Sequence, residues 1–275
     1  MAHAVGLDDL VEHLDALLRV RELPDYAGAW NGLQVENAGR IDRLVAAVDA
    51  SQATIDGVVA ALARDEGDVG FSGDHDRGSP LLLVHHGLFW DGQATVTGRR
   101  YRRLRTLLHH DIALYAAHLP LDLHPEVGNN AVLARALGLE LRGTFGSHKG
   151  VDIGVWGELP ASIASRDALL ARLAEVLGLP LPPRLVAGGP ERPRRVGIVT
   201  GGAGGLTLEA RAAGLDTLVT GEGAHHTYFD AMEGGVNLIL AGHYATETVG
   251  VRALGEHLAR QFGLPVAFHD HPTGL

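Results

Sequence analysis

The chain is 275 residues long, 46% hydrophobic and 20% charged, enough for one large α/β domain or two smaller ones. A formal charge of −10 argues against an electrostatic nucleic-acid footprint, and the lack of cysteine excludes a disulfide framework, a thiolate zinc site and a cysteine nucleophile. No apolar stretch reaches the roughly 18 residues of a membrane span, and no basic-then-apolar leader is present, so a cytoplasmic protein is expected.

Leu7, Leu10, Val11, Leu14, Leu17 and Leu18 recur at helical spacing, with Asp8 and Asp9 at the positive end of the helix dipole. In Trp30-Asn31-Gly32-Leu33-Gln34-Val35 a turn-prone Asn-Gly precedes a short apolar alternation. Residues 44–48 read as a strand, Ser51 as an N-cap and 53–63 as a helix. Residues 64–80 read as a solvated loop; its Asp74, His75 and Asp76 fit no calcium-loop pattern. The buried strand 81–84 ends in His85-His86-Gly87. The basic run Arg99, Arg100, Arg102, Arg103 and Arg105 reads as a solvated helix face within 99–110. Strand 112–117 runs into His118-Leu119-Pro120-Leu121-Asp122. Residues 128–138 look helical, 151–156 look like a strand, and Ser165 caps a helix through Leu177. Pro180, Pro182, Pro183, Pro190 and Pro193 mark a loop.

The second half repeats the alternation. Strand 195–199 leads to glycines 201–205 and a helix, and a strand ending at Val219 leads to Thr220-Gly221-Glu222 and His225-His226. Strand 236–241 leads to Gly242-His243-Tyr244-Ala245-Thr246-Glu247 and a helix carrying Val249, Val251, Leu254 and Leu258, before a last short strand at 265–268. Strands alternating with helices predict an α/β fold of mostly parallel sheet. His118-x-x-x-Asp122 and His243-x-x-x-Glu247 share a spacing and a strand-end position, which suggests two related lobes, 1–125 and 126–275. The last strand and helix could pack back on the first lobe.

Parallel α/β sheets bind ligands beyond the carboxyl ends of their strands. His85, His86, His118, Asp122, His243 and Glu247 all lie just past such ends, so a cleft between lobes could gather them. Imidazole nitrogen and carboxylate oxygen together suit a divalent cation. Adjacent strand-end residues point opposite ways, so His85 and His86 more naturally serve two ions than one. Glu222, His225 and His226 could hydrogen-bond to ligands or act as general acid or base. Glycines 201–205 could cradle an anion but match neither the dinucleotide fingerprint nor a Walker loop, and no G-x-S-x-G marks a serine nucleophile.

Several of these pieces, in this order, make the chain resemble the NIF-three-like dinuclear-metal-centre family, whose members carry the label GTP cyclohydrolase 1 type 2 homologue. They are Trp30-Asn31-Gly32-Leu33-Gln34, His85-His86-Gly87 with Phe89-Trp90, His118 to Asp122 followed by Gly128-Asn129-Asn130, the glycine run, Thr220-Gly221-Glu222 with His225-His226, and Gly242-His243-Tyr244-x-x-Glu247. The resemblance implies a two-lobed α/β protomer, a toroidal homohexamer and two divalent metal ions (zinc, iron or manganese) held by His85, His86, Asp122, His243 and Glu247. It makes His118 a weak ligand or a residue behind the ligands. Leu119-Pro120 departs from the family's usual small hydroxyl residue and asparagine, and the loop 64–80 is longer than expected.

The chemistry this implies is metal-assisted hydrolysis of a nucleotide such as GTP with release of formate, with His118, Glu222 or His226 moving protons. A metal-dependent phosphoesterase is the alternative hydrolase, and a non-catalytic metal-binding or regulatory scaffold protein is the alternative of another class. The expected ligand is a small molecule, with neither membrane nor nucleic acid as partner.

Overall fold

A computed structural model of the chain describes residues 3–66 and 78–275; Asp74, His75 and Asp76 lie outside the described residues. The chain divides into two compact units, residues 1–121 with 251–271 and residues 122–250 with 272–275.

The first unit begins with β1 (Val5–Gly6) and α1 (Leu7–Leu18), whose Leu7, Leu10, Leu14 and Leu18 form one buried stripe. Then come β2 (Gly32–Val35), β3 (Arg40–Asp49), α2 (Gln52–Glu66), β4 (Ser79–His86), α3 (Gly98–His109) and β5 (Ala113–Ala116). Ser51 caps α2 as expected, its Oγ accepting the Thr54 amide at 3.0 Å. The basic run forms α3, but it is not solvated throughout. Arg100 is buried and donates to Ala94 O at 2.8 Å, to Gly92 O at 2.6 Å and to Asp91.

A single turn, α4 (Leu119–Asp122), precedes the helix α5 (Asn129–Ala136), the strands β6 (Glu140–His148) and β7 (Val151–Glu158), and α6 (Arg166–Leu177). Next are β8 (Arg184–Ala187), β9 (Arg195–Ile198), a 3-10 turn at Gly204–Leu206, α7 (Thr207–Ala212), β10 (Thr217–Thr220), α8 (Thr227–Gly234) and β11 (Asn237–Leu240). The long α9 (His243–Phe262) starts in the second unit and ends in the first, where β12 (Val266–Phe268) also lies.

Each unit holds a six-stranded sheet among its described residues. In the first, the order is β1-β3-β4-β5-β2 with β12 beside β3; β12, β3, β4 and β5 run parallel, while β1 and β2 are antiparallel. In the second, the order is β6-β7-β9-β10-β11-β8, with β9, β10 and β11 parallel and β6, β7 and β8 antiparallel. The α/β reading therefore holds, but the sheets are mixed rather than mostly parallel: among the described residues antiparallel pairings are as many as parallel ones, and β7 is antiparallel inside its sheet. Strands covered on both faces must be apolar along their whole length, which explains why Leu81, Leu82, Leu83 and Val84 in β4 are all 0% exposed.

Three strands escape the sequence pattern: β1, only two residues long, and β6 and β8. β6 is largely exposed and carries Arg142, Gly143 and Gly146, so it lacks an apolar alternation. It is held by the hairpin turn at Lys149 and Gly150, both at positive φ (50° and 84°), which returns the chain into β7. β8 lies inside the proline-marked segment that was expected to be a loop. The prolines flank it, and an edge position antiparallel to β11 tolerates them. Among the described residues no helix is long and apolar enough to cross a membrane.

Candidate metal centre

In the first unit the site grows from the carboxyl ends of three neighbouring parallel strands. His85 and His86 are the last two residues of β4, and His118 follows β5 by two residues. His85, 1% exposed, donates from Nδ1 to Ala117 O at 2.9 Å, across the β4–β5 pairing. His86 donates from Nδ1 to Asp49 Oδ1 at 2.8 Å, the residue opposite it in β3. His118 donates from Nδ1 to Asp25 Oδ1 at 2.9 Å. An oxygen acceptor on Nδ1 keeps the proton there and leaves the Nε2 lone pair for a cation.

The three imidazoles offer ligand atoms all within 4.8 Å of one another, a set that could hold a metal ion. His85 and His86 thus do not diverge as an ideal strand would have them. His86 sits where β4 ends, and its bond to Asp49 turns the ring so that its centroid lies 4.8 Å from that of His85. Trp90 closes the group, its ring edge-on to His118 at 4.8 Å and to His86 at 5.7 Å.

Asp25 ties this group to the Trp30-Asn31-Gly32 segment. Its Oδ2 accepts from Asn31 Nδ2 at 2.8 Å and from the Leu119 amide at 3.0 Å, while Asn31 Oδ1 accepts the His118 amide at 2.7 Å. Burial alone would raise the Asp25 carboxyl. The hydrogen bond and charge of His118, with Asn31 and the Tyr26 amide, outweigh it and hold Asp25 below the usual carboxylate range.

The second unit contributes His243 and Glu222, just past the ends of β11 and β10, Glu247 one turn into α9, and Asp122, which closes α4. α9 begins at His243, so His243 and Glu247 are stacked one helical turn apart. His243 donates from Nε2 to Glu247 Oε1 at 3.1 Å and from Nδ1 to Glu222 Oε1 at 2.9 Å. The His243 imidazole is pushed up to about 9, most by its hydrogen bond to Glu247, against burial, with the Glu247 charge and then Glu222 adding to the rise. A proton shared by an imidazole and a buried carboxylate is what a divalent cation displaces, so this donor pair fits one. Gly201, at φ +71°, lets the strand end approach: a Cβ there would run into Glu247 Oε1. Gly221 does the same for the His243 backbone, 2.6 Å from where its Cβ would stand.

Asp122, 7% exposed, accepts from Asn129 Nδ2 at 2.8 Å and from Thr200 Oγ1 at 3.3 Å. The Asn129-Asn130 pair is thereby explained. Asn129 also accepts the Gly250 amide at 2.7 Å, and Asn130 accepts the Thr200 amide at 2.8 Å, pinning the β9 end and α9 around Asp122. His226 stands at the start of α8 with its side chain exposed and in no hydrogen bond among the described residues. His225 lies edge-on to Phe229 at 5.6 Å. In the glycine run, Gly201 and Gly202 stand beside Glu247, His243 and Glu222, and the amides of Gly201, Ala203 and Gly204 already donate to Thr246, Thr220 and the Glu222 carbonyl.

The sequence reading missed Asp25 and assigned no role to Asp49. Asp49 had a usable signal, since it ends the strand before the His-His strand. Asp25 had none: it sits in an irregular segment 93 residues from His118.

A family model described as Duf34/NIF3 (NGG1p interacting factor 3) matches residues 74–273. A GTP cyclohydrolase 1 type 2 homolog of Halobacterium salinarum is 44% identical over 273 residues, covering 98% of this chain and 100% of the relative. One of Deinococcus radiodurans is 42% identical over 271 residues, covering 98% of this chain and 95% of the relative. Among solved structures, protein TTHA1606 of Thermus thermophilus is similar with a TM-score of 0.81 and 40% identity, covering 98% of this chain and 100% of that one.

Proposed function

This chain belongs to the Duf34/NIF3 family, and from that premise we propose that it is a dinuclear metal-dependent hydrolase acting on a nucleotide, in a reaction like that of GTP cyclohydrolase type 2. His85, His86, Asp122, His243 and Glu247 would hold two divalent cations, zinc, iron or manganese. One observation carries the reading: four imidazoles at strand ends each have Nδ1 on an oxygen acceptor, and three of them offer ligand atoms within 4.8 Å of one another. The fourth, His243, has Nε2 on the buried Glu247.

Bound cations supply Lewis acidity, acidifying water and polarising the bond under attack. The chain's own part is to orient and to move protons. Ring opening of a purine with release of formate takes two hydrolyses at the same carbon, each adding one water and breaking one C–N bond, and each needs one group to accept a proton from water and another to return one to the departing nitrogen. His118, Glu222 and His226 take these roles in this reading. For His118 the support is the Asp25 bond, which leaves Nε2 as the exchanging nitrogen. For Glu222 it is a half-exposed carboxylate in contact with His243. His226 rests on its place in the sequence motif. A homohexamer in the cytoplasm belongs to the same proposal.

The test is metal content by plasma mass spectrometry on protein purified without an affinity tag, followed by formate and phosphate assays on GTP. About two ions per chain, lost in a folded His85→Ala, Glu247→Ala variant, together with formate release, is the expected result. Phosphate without formate moves the reading to a phosphoesterase. Protein that takes up none of the three metals refutes the centre.

A further inference from the structure

One cavity of the second unit is lined by none of the proposed metal ligands. It measures about 480 Å³ and opens beside the loop that leaves β10, one residue beyond Glu222. Arg184, His225, Tyr228 and Phe229 line its wall, with Val186 and Leu240 behind them. Arg184 opens β8 directly opposite Leu240, the last residue of β11. The cavity therefore lies at the carboxyl ends of β10 and β11, the end at which α/β sheets take their ligands. Its size falls within the roughly 300–1,000 Å³ of small-molecule sites.

The lining has a definite chemistry. It contains no carboxylate, in a chain whose formal charge is −10. Arg184 forms no side-chain ion pair or hydrogen bond among the described residues, so its fork of donors is uncompensated. Tyr228 and Phe229 are 48% and 49% exposed, far more than rings of that size normally are. They stand edge to face, centroids 5.4 Å apart, with His225 edge-on to Phe229. The start of α8 does not serve as the anion site. The amides of Thr227, Tyr228, Phe229 and Asp230 already donate to the carbonyls of Ala224, His225 and His226. Recognition of an anion falls to the side chains.

We propose that this cavity binds a planar heteroaromatic anion, its phosphate or carboxylate on Arg184 and its ring against Tyr228 and Phe229. A ligand of this kind recovers the exposed aromatic area and neutralises the lone guanidinium in one step. The cavity then supplies recognition next to Glu222, whose other contact is His243. The assignment rests on the proposed nucleotide chemistry only in its choice of probe.

The test is calorimetric titration of guanosine monophosphate into full-length protein stripped of metal by chelation, beside guanosine (ring without anion) and ribose 5-phosphate (anion without heterocycle). The nucleotide is expected to bind more tightly than either fragment. Arg184→Ala weakens the nucleotide by about tenfold or more and leaves guanosine within about twofold, as loss of a charge-assisted contact requires. Phe229→Ala weakens nucleotide and guanosine together and spares ribose 5-phosphate. Both side chains are exposed at the cavity, and circular dichroism verifies that the variants fold. Absence of binding at millimolar nucleotide, or wild-type affinity in Arg184→Ala, overturns the proposal. So does a Phe229→Glu variant that changes oligomeric size with nucleotide affinity intact, which would make this face a contact between copies. Because the protein is metal-free, failure of the metal centre leaves this result readable.

Discussion

Removing Asp49 separates a metal-orienting role from a structural one. Its Oδ1 lies 2.8 Å from His86 Nδ1, with the two side chains 32% and 19% exposed. Without that acceptor the imidazole redistributes its proton between the two nitrogens and loses its fixed orientation. Partners that anchor metal-binding histidines typically carry about 10- to 100-fold in metal affinity, or roughly 1.4–2.7 kcal/mol. The metal-free protein should lose far less, about 0–1 kcal/mol, because a pair this exposed is screened by water. Asp49→Asn keeps an acceptor oxygen without the charge and should fall between wild type and Asp49→Ala. Competition for zinc against a chromophoric chelator reads the affinity, and urea unfolding with excess chelator reads the fold. Zinc affinity in Asp49→Ala within about twofold of wild type would refute the anchoring argument. A metal-free destabilisation as large as the affinity loss would refute it too. Asp25 is the poorer choice for this test because it also holds Asn31 and the Leu119 amide, so its loss disturbs the fold.

Gly201→Ala should cost about 1–2 kcal/mol for an L-residue at φ +71° and, by pushing on Glu247, weaken zinc binding as well; urea midpoints and chelator competition measure the two effects separately. Leu83→Ala, in the fully buried centre of β4, should cost about 2–5 kcal/mol while metal stoichiometry per folded chain stays unchanged. His13 gives a pH prediction. Burial and then the neighbouring His257, with the two Nε2 atoms 3.1 Å apart, lower its pKa below 6.5. The unfolded chain then binds more protons than the folded one, so this contribution is present above pH 6.5 and is lost as pH falls through the folded value. Melting temperature should drop from neutral pH toward the acid side, and less steeply in His13→Gln; an identical slope in that variant would remove His13 as a cause.

Much of the candidate centre was legible in sequence because its chemistry sits at strand ends. A buried parallel strand needs an unbroken apolar run, so the point where Leu81 to Val84 gives way to His85 and His86 marks a strand end with no tertiary information. His118 after β5 and His243 after β11 stand out for the same reason. The helices α1, α2 and α6 were visible through period and caps, signals confined to a few consecutive residues.

What only the tertiary structure decided are pairings that no local period encodes. β6 and β8 are held by their neighbours β7 and β11 rather than by their own pattern, so exposed residues and flanking prolines hid them. The basic run looked solvated, yet Arg100 turns inward because the carbonyls of Gly92 and Ala94 need a donor. Residues 251–271 join the first unit although they follow residues 122–250 of the second. Above all, the acceptors that orient the histidines, Asp25, Asp49 and the Ala117 carbonyl, come from whichever strand or loop the sheet order sets alongside. Sequence by itself determined which residues can bind a cation, because residue type and strand end are local properties. Sheet order determined which nitrogen each histidine presents, because a hydrogen-bond partner is chosen by position in space.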